Sequence, residues 1–182
     1  MDPLDGTSNF VAGNACFSVM VCLLRQGEAV GAWMLSPVSD VLHVAEKGGG
    51  AWIDGKRTHT ADAPTLSEAR GAILTRFLPI ELRDHLEGAT KVLREVRPGL
   101  RCAGEEYPAI ARGDQHFALF GRALPWDHAA GALFLTEAGG HVADFDGRPY
   151  SAVNPRFGLL AANTPELWSA LSKKLLTPTP VA

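Results

Sequence analysis

The 182-residue chain has few cysteines, no excess of basic charge and no long apolar run. Its cysteines, Cys16, Cys22 and Cys102, are odd in number and fit no zinc-binding spacing, so we expect buried, reduced thiols. A formal net charge of -3 gives the chain no general electrostatic reason to bind nucleic acid. The longest apolar stretch, around residues 17–24, falls short of the roughly 18 residues that a membrane span needs.

The start of the chain also lacks the basic and apolar regions of a secretory signal peptide, because it opens on the polar Met1-Asp2-Pro3. We therefore expect a cytoplasmic protein with neither a nucleic-acid partner nor a membrane partner. Apolar residues make up 46% and charged residues 20% of the sequence, which is ordinary for a globular protein. Its length suits one domain, or two small lobes that share a core.

The apolar residues follow two different patterns along the chain. Residues 15–58 contain short apolar and β-branched segments separated by turn residues, which predicts an antiparallel meander. Later, candidate strands at 72–74, 100–103, 116–120 and 157–162 alternate with candidate helices at 78–96, 107–112, 127–138 and 165–176. The last residues, 177–182, look frayed. We predict an α/β protein, more narrowly an α+β layered sandwich, with lobes at 1–65 and 66–182.

The first candidate site is the opening string Asp2-Pro3-Leu4-Asp5-Gly6-Thr7-Ser8-Asn9-Phe10. Its two carboxylates, Asp2 and Asp5, can converge on one point if the backbone turns. Hard divalent cations such as Mg²⁺ prefer oxygen ligands, and the carbonyl of Leu4 could be a third one. The alternative is a plain surface turn, because Asp-Gly and Asp-Pro are common turn dipeptides.

The second half of this string offers groups that could bind a phosphate. Gly6 permits an unusual backbone angle, so that Thr7 and Ser8 could begin a helix with free amides. The start of a helix favours anions such as phosphate. The hydroxyl of Thr7 could also orient a water molecule.

The second candidate site is Pro125-Trp126-Asp127-His128-Ala129-Ala130-Gly131, followed by Glu137-Ala138-Gly139-Gly140. Asp127 stands where a helix N-cap is expected, and the small residues after it allow close packing. A capped, buried helix explains this pattern by itself. The functional alternative is that Asp127 points past the helix end as one more metal carboxylate.

Together these strings resemble the two signatures of the inositol monophosphatase-like family, which belongs to the magnesium-dependent, lithium-sensitive phosphatases. Glu46-Lys47-Gly48-Gly49-Gly50-Ala51-Trp52 resembles the glycine-rich hairpin of the same family. The order and spacing of the motifs fit, and the resemblance covers the chain from Met1 to about Leu176. It implies a layered α/β fold and hydrolysis of a small phosphate monoester by metal-activated water. The substrate class would be an inositol phosphate, another polyol phosphate or a sugar phosphate.

The resemblance also implies roles for particular residues. Asp2 would bridge two Mg²⁺ ions and Asp127 would complete the second metal site, while the Thr7 hydroxyl would help to position the attacking water. The implied catalytic residues are Asp2, Asp5, Thr7 and Asp127. The implied metal ligands are Asp2, Leu4, Asp5 and Asp127, and the implied phosphate or substrate ligands are Gly6, Thr7, Ser8, Glu105 and Asp127.

The chain departs from the family pattern because it opens on the first signature. Family members carry a preceding stretch with helices, first strands and a Gly-Glu-Glu segment whose glutamate binds metal. We therefore expect a truncated member with weak activity; Gly104-Glu105-Glu106 imitates that segment in letters only. Apolar surface left exposed predicts association, for example as a homodimer. The alternative to an enzyme is a phosphate-binding or partner-binding remnant of the fold.

The substrate is less well defined by the sequence. In inositol-specific members an acidic residue before the Trp-Asp pair binds ring hydroxyls, and alignment places Phe120 there. Glu105 or Glu106 could contact a polyol, although a solvated helix start explains them equally. Arg122 could approach an anionic substrate or be merely exposed, and His128 is expected to be structural. The alternatives among enzymes are 3'(2'),5'-bisphosphate nucleotidase and fructose-1,6-bisphosphatase activity.

Overall fold

The computed structural model describes residues 1–176 and contains two β-sheets. The first sheet is antiparallel, and its six strands lie in the order in which they occur along the chain. Its strands are β1 (Asp2–Asp5), β2 (Ser18–Arg25), β3 (Glu28–Ser36), β4 (Val41–Glu46), β5 (Gly50–Ile53) and β6 (Lys56–Thr58). The turn Gln26-Gly27 has both residues at positive φ, as a two-residue hairpin turn of type I′ requires. The meander predicted for residues 15–58 is confirmed.

The second sheet has five strands in the order β10-β11-β9-β7-β8. β7 runs parallel to both β8 and β9, whereas β11 is antiparallel to its neighbours. Its strands are β7 (Arg70–Leu74), β8 (Glu95–Arg97), β9 (Phe117–Phe120), β10 (His141–Ala143) and β11 (Leu159–Ala162). The helices are α1 (Thr7–Val11), α2 (Ile80–Ala89), α3 (Ala103–Arg112), α4 (Pro125–Glu137) and α5 (Pro165–Leu175).

Two clusters of buried side chains define the layers. In the first cluster, Met34 of the first sheet meets Tyr107 of α3, Phe134 of α4 and one face of the second sheet. In the second cluster, the opposite face of the second sheet meets α2 and α5. All four residues of β9 are buried because alternate side chains enter different clusters. The predicted α/β layered fold is confirmed.

The two predicted lobes do not have separate cores. The boundary at residues 65/66 falls between the sheets, yet α3 and α4 pack between them and share the first cluster with both. The division into lobes at 1–65 and 66–182 therefore stays a prediction, and residues 177–182 lie outside the described part of the chain. No helix within residues 1–176 combines the length and the apolar character that a membrane crossing requires.

Two predicted elements are corrected by the structure. The helix predicted over 78–96 ends at Ala89, and residues 95–97 instead form β8 at the sheet edge. The apolar spacing predicted a helix that is too long, because Leu93 is apolar and packs against the second cluster although its backbone is extended. The strand predicted at 100–103 is also wrong, since α3 begins at Ala103 and the Leu100 N–H is bonded by the Glu106 carboxylate.

Candidate metal and phosphate site

Strand β1 presents Asp2 and Asp5 on the same side of the sheet. Residues three apart on a regular strand point to opposite faces. Here, however, Asp2 pairs with Met20 and Asp5 with Ser18, so β1 advances three residues while β2 advances two. This bulge turns both carboxylates toward the side on which Ser18 and Met20 are buried. The convergence expected from a turn of the backbone is therefore produced by a strand irregularity.

A third carboxylate, that of Asp127, joins these two from helix α4. The three side chains each offer an oxygen, and these oxygens all lie within 4.8 Å of one another. The prediction that Asp127 is the helix N-cap is wrong, because α4 begins at Pro125 after Leu124. Proline suits the first helical position, which places Asp127 third in the first turn. An acidic side chain is favoured there by the helix dipole.

Burial and repulsion by neighbouring carboxylates disfavour the charged forms of Asp5 and Asp127. Burial raises the pKa of Asp127 to about 6, and the charges of Asp5 and Asp2 add to the effect. Burial also raises the pKa of Asp5, although hydrogen bonds from Gly104 and Cys102 oppose the increase. Partly buried carboxylates that repel one another are stabilised when a cation binds among them. The cluster therefore has the ligand type and the electrostatic character of a divalent cation site.

Asp5 is held by donors from two other elements. Its Oδ2 accepts hydrogen bonds from the Gly104 N–H at 2.7 Å, the Cys102 thiol at 3.2 Å and the Ser18 hydroxyl at 3.3 Å. The motifs did not identify Ser18 as a partner of Asp5. The sequence could have indicated this role, because Ser18 stands two residues before Met20 and so shares the buried face of strand β2.

The segment after Asp5 forms the start of a short helix, as predicted. Gly6 is the N-cap at φ 79° and ψ 28°, a backbone conformation that favours glycine. The N–H groups of Thr7 and Ser8 belong to the first turn and have no acceptor within the helix. The Thr7 hydroxyl donates to the carbonyl oxygen of Leu4 at 2.9 Å, which leaves that carbonyl a second lone pair.

A cavity of about 320 Å³ opens beside the carboxylates. Its volume is within the usual range for a small-molecule site. Besides Asp5, Ser8 and Asp127, its walls include aromatic and basic side chains that lie at or near the ends of strands and the beginnings of helices. These are Arg76, Phe77, Arg101, Phe120, Arg122 and His128.

The model of the inositol monophosphatase family matches residues 1–177. The chain belongs to this family. Inositol-1-monophosphatase of Rhizobium meliloti is 35% identical over 191 residues, an alignment that covers 99% of this chain and 68% of the relative. Nus factor SuhB of Vibrio cholerae is 33% identical, with 81% of this chain and 56% of the relative covered.

Solved structures agree with the family assignment. Inositol monophosphatase-II of Staphylococcus aureus superposes with a TM-score of 0.88 at 26% identity, over 97% of this chain and 66% of that one. The family recognised from the motifs is therefore confirmed. The chain spans 56–68% of the length of the two sequence relatives.

In this member of the inositol monophosphatase family, not every predicted residue lies at the cavity. Glu105 lies at a separate pocket with Asn14 and Cys16, so the structure does not bring it to the carboxylates. The expectation that Glu106 could contact a polyol is wrong, because its side chain is buried and bonded to Gln115. His128 is buried and its Nδ1 lies 2.9 Å from the Tyr107 hydroxyl, as expected of a structural residue.

Proposed function

We propose that this chain binds Mg²⁺ through Asp2, Asp5 and Asp127 and hydrolyses small phosphate monoesters. The observation that carries this proposal is the convergence of three carboxylate oxygens within 4.8 Å, beside the first turn of α1. A cavity large enough for a small molecule adjoins them. Family membership supports a phosphatase, since a relative that this chain covers to 68% is an inositol-1-monophosphatase.

The donor set fits magnesium better than a softer metal. Carboxylate and carbonyl oxygens are the ligands that Mg²⁺ prefers, whereas zinc and copper sites draw on thiolates and imidazoles. The thiol of Cys102 is a poor candidate ligand, because burial and the charge of Asp5 raise its pKa far above the ordinary value. Asp2, Asp5, Asp127 and the Leu4 carbonyl would hold the ions.

Each residue of the site then has a distinct task. Bound Mg²⁺ supplies polarisation of the phosphoryl oxygens and a lower pKa for an attached water. The free N–H groups of Thr7 and Ser8 would donate to phosphate oxygens, as helix starts do for many anions. Because the Thr7 hydroxyl already donates its hydrogen bond to the Leu4 carbonyl, its lone pairs are left to accept a hydrogen bond from a water and so orient it. Gly104 and Ser18 keep Asp5 in place.

The proposed substrate is a small phosphate monoester of the inositol, polyol or sugar type. The name of the Rhizobium meliloti relative refers to inositol monophosphate, and we extend that substrate class to this chain. The cavity volume of about 320 Å³ accommodates a molecule of this size. A cytoplasmic setting, expected from the sequence, stays a prediction.

The direct test is hydrolysis of p-nitrophenyl phosphate by the full chain with MgCl₂ and with EDTA. We expect phosphate release that requires Mg²⁺ and is abolished by Asp127→Asn. The matched control is Asp146→Asn, which changes an exposed acid paired with Arg148 and should leave turnover unchanged. Calorimetric binding of inorganic phosphate in Mg²⁺ without turnover would instead favour the phosphate-binding remnant.

A further inference from the structure

The proposed catalytic site makes no use of Glu105, an acidic residue in the first turn of α3. Glu105 lines a separate cavity of about 440 Å³, and among the described residues none is common to its wall and to that of the cavity beside the metal carboxylates. The loop before β2, the turn after β3 and the segment that leads into α3 form the rest of the wall. The volume is within the usual range for a small-molecule site.

Among the described residues of this wall, Glu105 is the one that carries a charge at neutral pH. Within residues 1–176 its carboxylate forms no salt bridge at 4.0 Å or less. The thiol of Cys16, in the same wall, stays neutral because burial raises its pKa and the charge of Glu105 raises it further. The wall therefore presents one negative charge without a counterion, and such a charge favours a cationic ligand.

A buried hydroxyl group in the same wall lacks a hydrogen-bond partner. Ser36 is 5% exposed, and its Oγ is buried with no partner within residues 1–176. Leaving a buried hydroxyl unpaired is unfavourable, so this one would gain a hydrogen bond from a ligand in the cavity. A serine hydroxyl donates as well as accepts, which matches the hydroxyl group of a ligand. The wall therefore offers two different groups, a carboxylate and a hydroxyl, to one molecule.

The buried side chain of Asn9 holds two parts of this wall together. Asn9 is 5% exposed, and its Nδ2 donates to the carbonyl oxygens of Cys16 and Leu100, at 2.8 Å in each case. The N–H of Leu100 donates in turn to the buried carboxylate of Glu106. Because these hydrogen bonds exist without a ligand, the cavity is preformed, and a ligand loses little affinity to the ordering of the wall.

We infer that this cavity binds a small hydroxylated amine, whose ammonium group pairs with Glu105 and whose hydroxyl group bonds to Ser36. This ligand is distinct from the phosphate ester of the proposed function, because the site consists of other residues and no reaction is assigned to it. A neutral molecule would leave the charge of Glu105 without a counterion. A plain alkylamine, or a lysine side chain of another protein, would leave the Ser36 hydroxyl unpaired.

The test compares 1-amino-1-deoxysorbitol with sorbitol, which has a hydroxyl group in place of the ammonium group. Both are titrated at neutral pH into the full chain by calorimetry, with MgCl₂ present so that the carboxylates of the metal site compete less for the ammonium group. We expect the amine to bind about tenfold more tightly, as a hydrogen bond to a charged group implies. The ratio of the two dissociation constants should fall toward one in Glu105→Gln. It should stay unchanged in the matched control Glu81→Gln, because Glu81 lies in the first turn of α2 and outside this cavity.

Ser36→Ala supplies a second readout, since it removes the hydroxyl without removing the charge. The variant should fold at least as well as the wild-type chain, because the hydroxyl that it loses is buried and unpaired. We expect its affinity for 1-amino-1-deoxysorbitol to fall by about threefold or more, as the loss of one neutral hydrogen bond implies. The affinity for n-hexylamine, which carries an ammonium group without hydroxyl groups, should be the same in Ser36→Ala as in the wild-type chain.

The outcomes separate this inference from the proposed function. Equal affinity of the wild-type chain for the amine and for sorbitol, or a preference that persists in a correctly folded Glu105→Gln variant, would overturn the site. Binding of n-hexylamine as tight as that of 1-amino-1-deoxysorbitol would overturn the role of Ser36. Hydrolysis of p-nitrophenyl phosphate without any preference for the amine leaves the proposed function intact. A preference that Glu105→Gln removes, in a chain that hydrolyses no phosphate ester, supports this site and contradicts the proposed hydrolysis alone. Circular dichroism spectra verify that each variant is folded.

Discussion

The backbone N–H of Gly104 donates a 2.7 Å hydrogen bond to Oδ2 of Asp5, although the two residues are 99 positions apart in the sequence. This bond joins the edge strand β1 of the first sheet to the beginning of helix α3. The hydroxyl of Ser18 and the thiol of Cys102 reach the same oxygen. The position of a proposed metal ligand therefore depends on how closely α3 approaches the first sheet.

Replacing Gly104 with alanine should disturb this approach. A Cβ at this position would lie 2.1 Å from the Ser18 hydroxyl oxygen and 2.9 Å from the Ser18 Cβ, so rotating the hydroxyl does not remove the clash. We expect Gly104→Ala to lower the free energy of unfolding by about 1–3 kcal/mol, as overpacking does. It should also weaken Mg²⁺ binding because Asp5 loses its anchor. Urea denaturation and calorimetric titration of MgCl₂ measure the two effects.

The matched control for this change is Gly88→Ala in α2. A Cβ there meets no atom within 4 Å, so alanine should be neutral or stabilising by about 0.5–1 kcal/mol. If both variants behaved alike, the close contact between α3 and β2 would not be what holds Asp5.

Asp127→Asn should stabilise the chain in the absence of Mg²⁺ but remove the additional stability that bound Mg²⁺ provides. In EDTA the variant should be more stable than the wild-type chain at pH 7, because one of three repelling, partly buried carboxylates is gone. In MgCl₂ the wild-type melting temperature should rise, whereas that of the variant should not, since a ligand that binds the native state stabilises it. Thermal denaturation followed by circular dichroism, with Asp146→Asn as control, measures both effects.

The stability difference between these two proteins should depend on pH. The pKa of Asp127 is 3.8 in a model compound and about 6 in the folded chain, so the native state binds more protons between these values. Wild-type stability should consequently fall relative to Asp127→Asn as pH rises from about 4 to 6, and the difference should then level off.

The stability of the wild-type chain alone would not isolate the effect of Asp127, because the buried His128 changes stability with pH in the opposite direction. The stability difference between the wild-type chain and Asp127→Asn is therefore the quantity to measure. Burial lowers the pKa of His128 to about 4, so its contribution to stability is lost as pH falls from about 6.5 to 4. Both proteins contain His128, and its contribution cancels. A pH-independent difference in EDTA would show that Asp127 is not perturbed in the fold.

Much of the fold follows from local pattern. The predicted strand over residues 41–46 coincides with β4, and the apolar alternation of the meander needs no distant information. The edge strand β8 could not be predicted, because only pairing with β7 distinguishes it from the end of a helix. Propensity and spacing describe a segment, whereas sheet position depends on its neighbours.

The candidate site divides in the same way. Asp2, Asp5 and Asp127 lie in motifs that are legible in the sequence, and the structure brings them together. The bulge in β1 and the donor at Gly104 arise from tertiary contacts, which no single motif contains. The arginines of the cavity wall belong to three unrelated segments, so their convergence required the fold.

Tyr107→Phe should destabilise the packing of α3 against α4. The Tyr107 hydroxyl lies 2.9 Å from His128 Nδ1, and both side chains are buried. Removing the hydroxyl keeps the ring but leaves the imidazole nitrogen without its partner, which should cost about 1–3 kcal/mol. Urea denaturation measures the free energy of unfolding.

A second tyrosine supplies the control for this prediction. The buried Tyr150 hydroxyl has no hydrogen-bond partner within the described residues, so Tyr150→Phe should be neutral or stabilising. A loss of stability as large in Tyr150→Phe as in Tyr107→Phe would contradict the importance of the bond to His128.

Substitution on the outer face of the first sheet should reduce self-association. Val21 lies directly opposite Trp33, and Leu23 follows on the same face; these side chains are 36%, 39% and 55% exposed. A contiguous apolar face of this kind favours association, whereas isolated apolar residues do not. We expect Leu23→Lys to shift the chain toward monomer in sedimentation velocity at several concentrations. Ile80→Lys on α2, 65% exposed, is the control that should leave the distribution unchanged. A wild-type chain that sediments as a monomer throughout, or an equal response to both substitutions, would contradict association through this face.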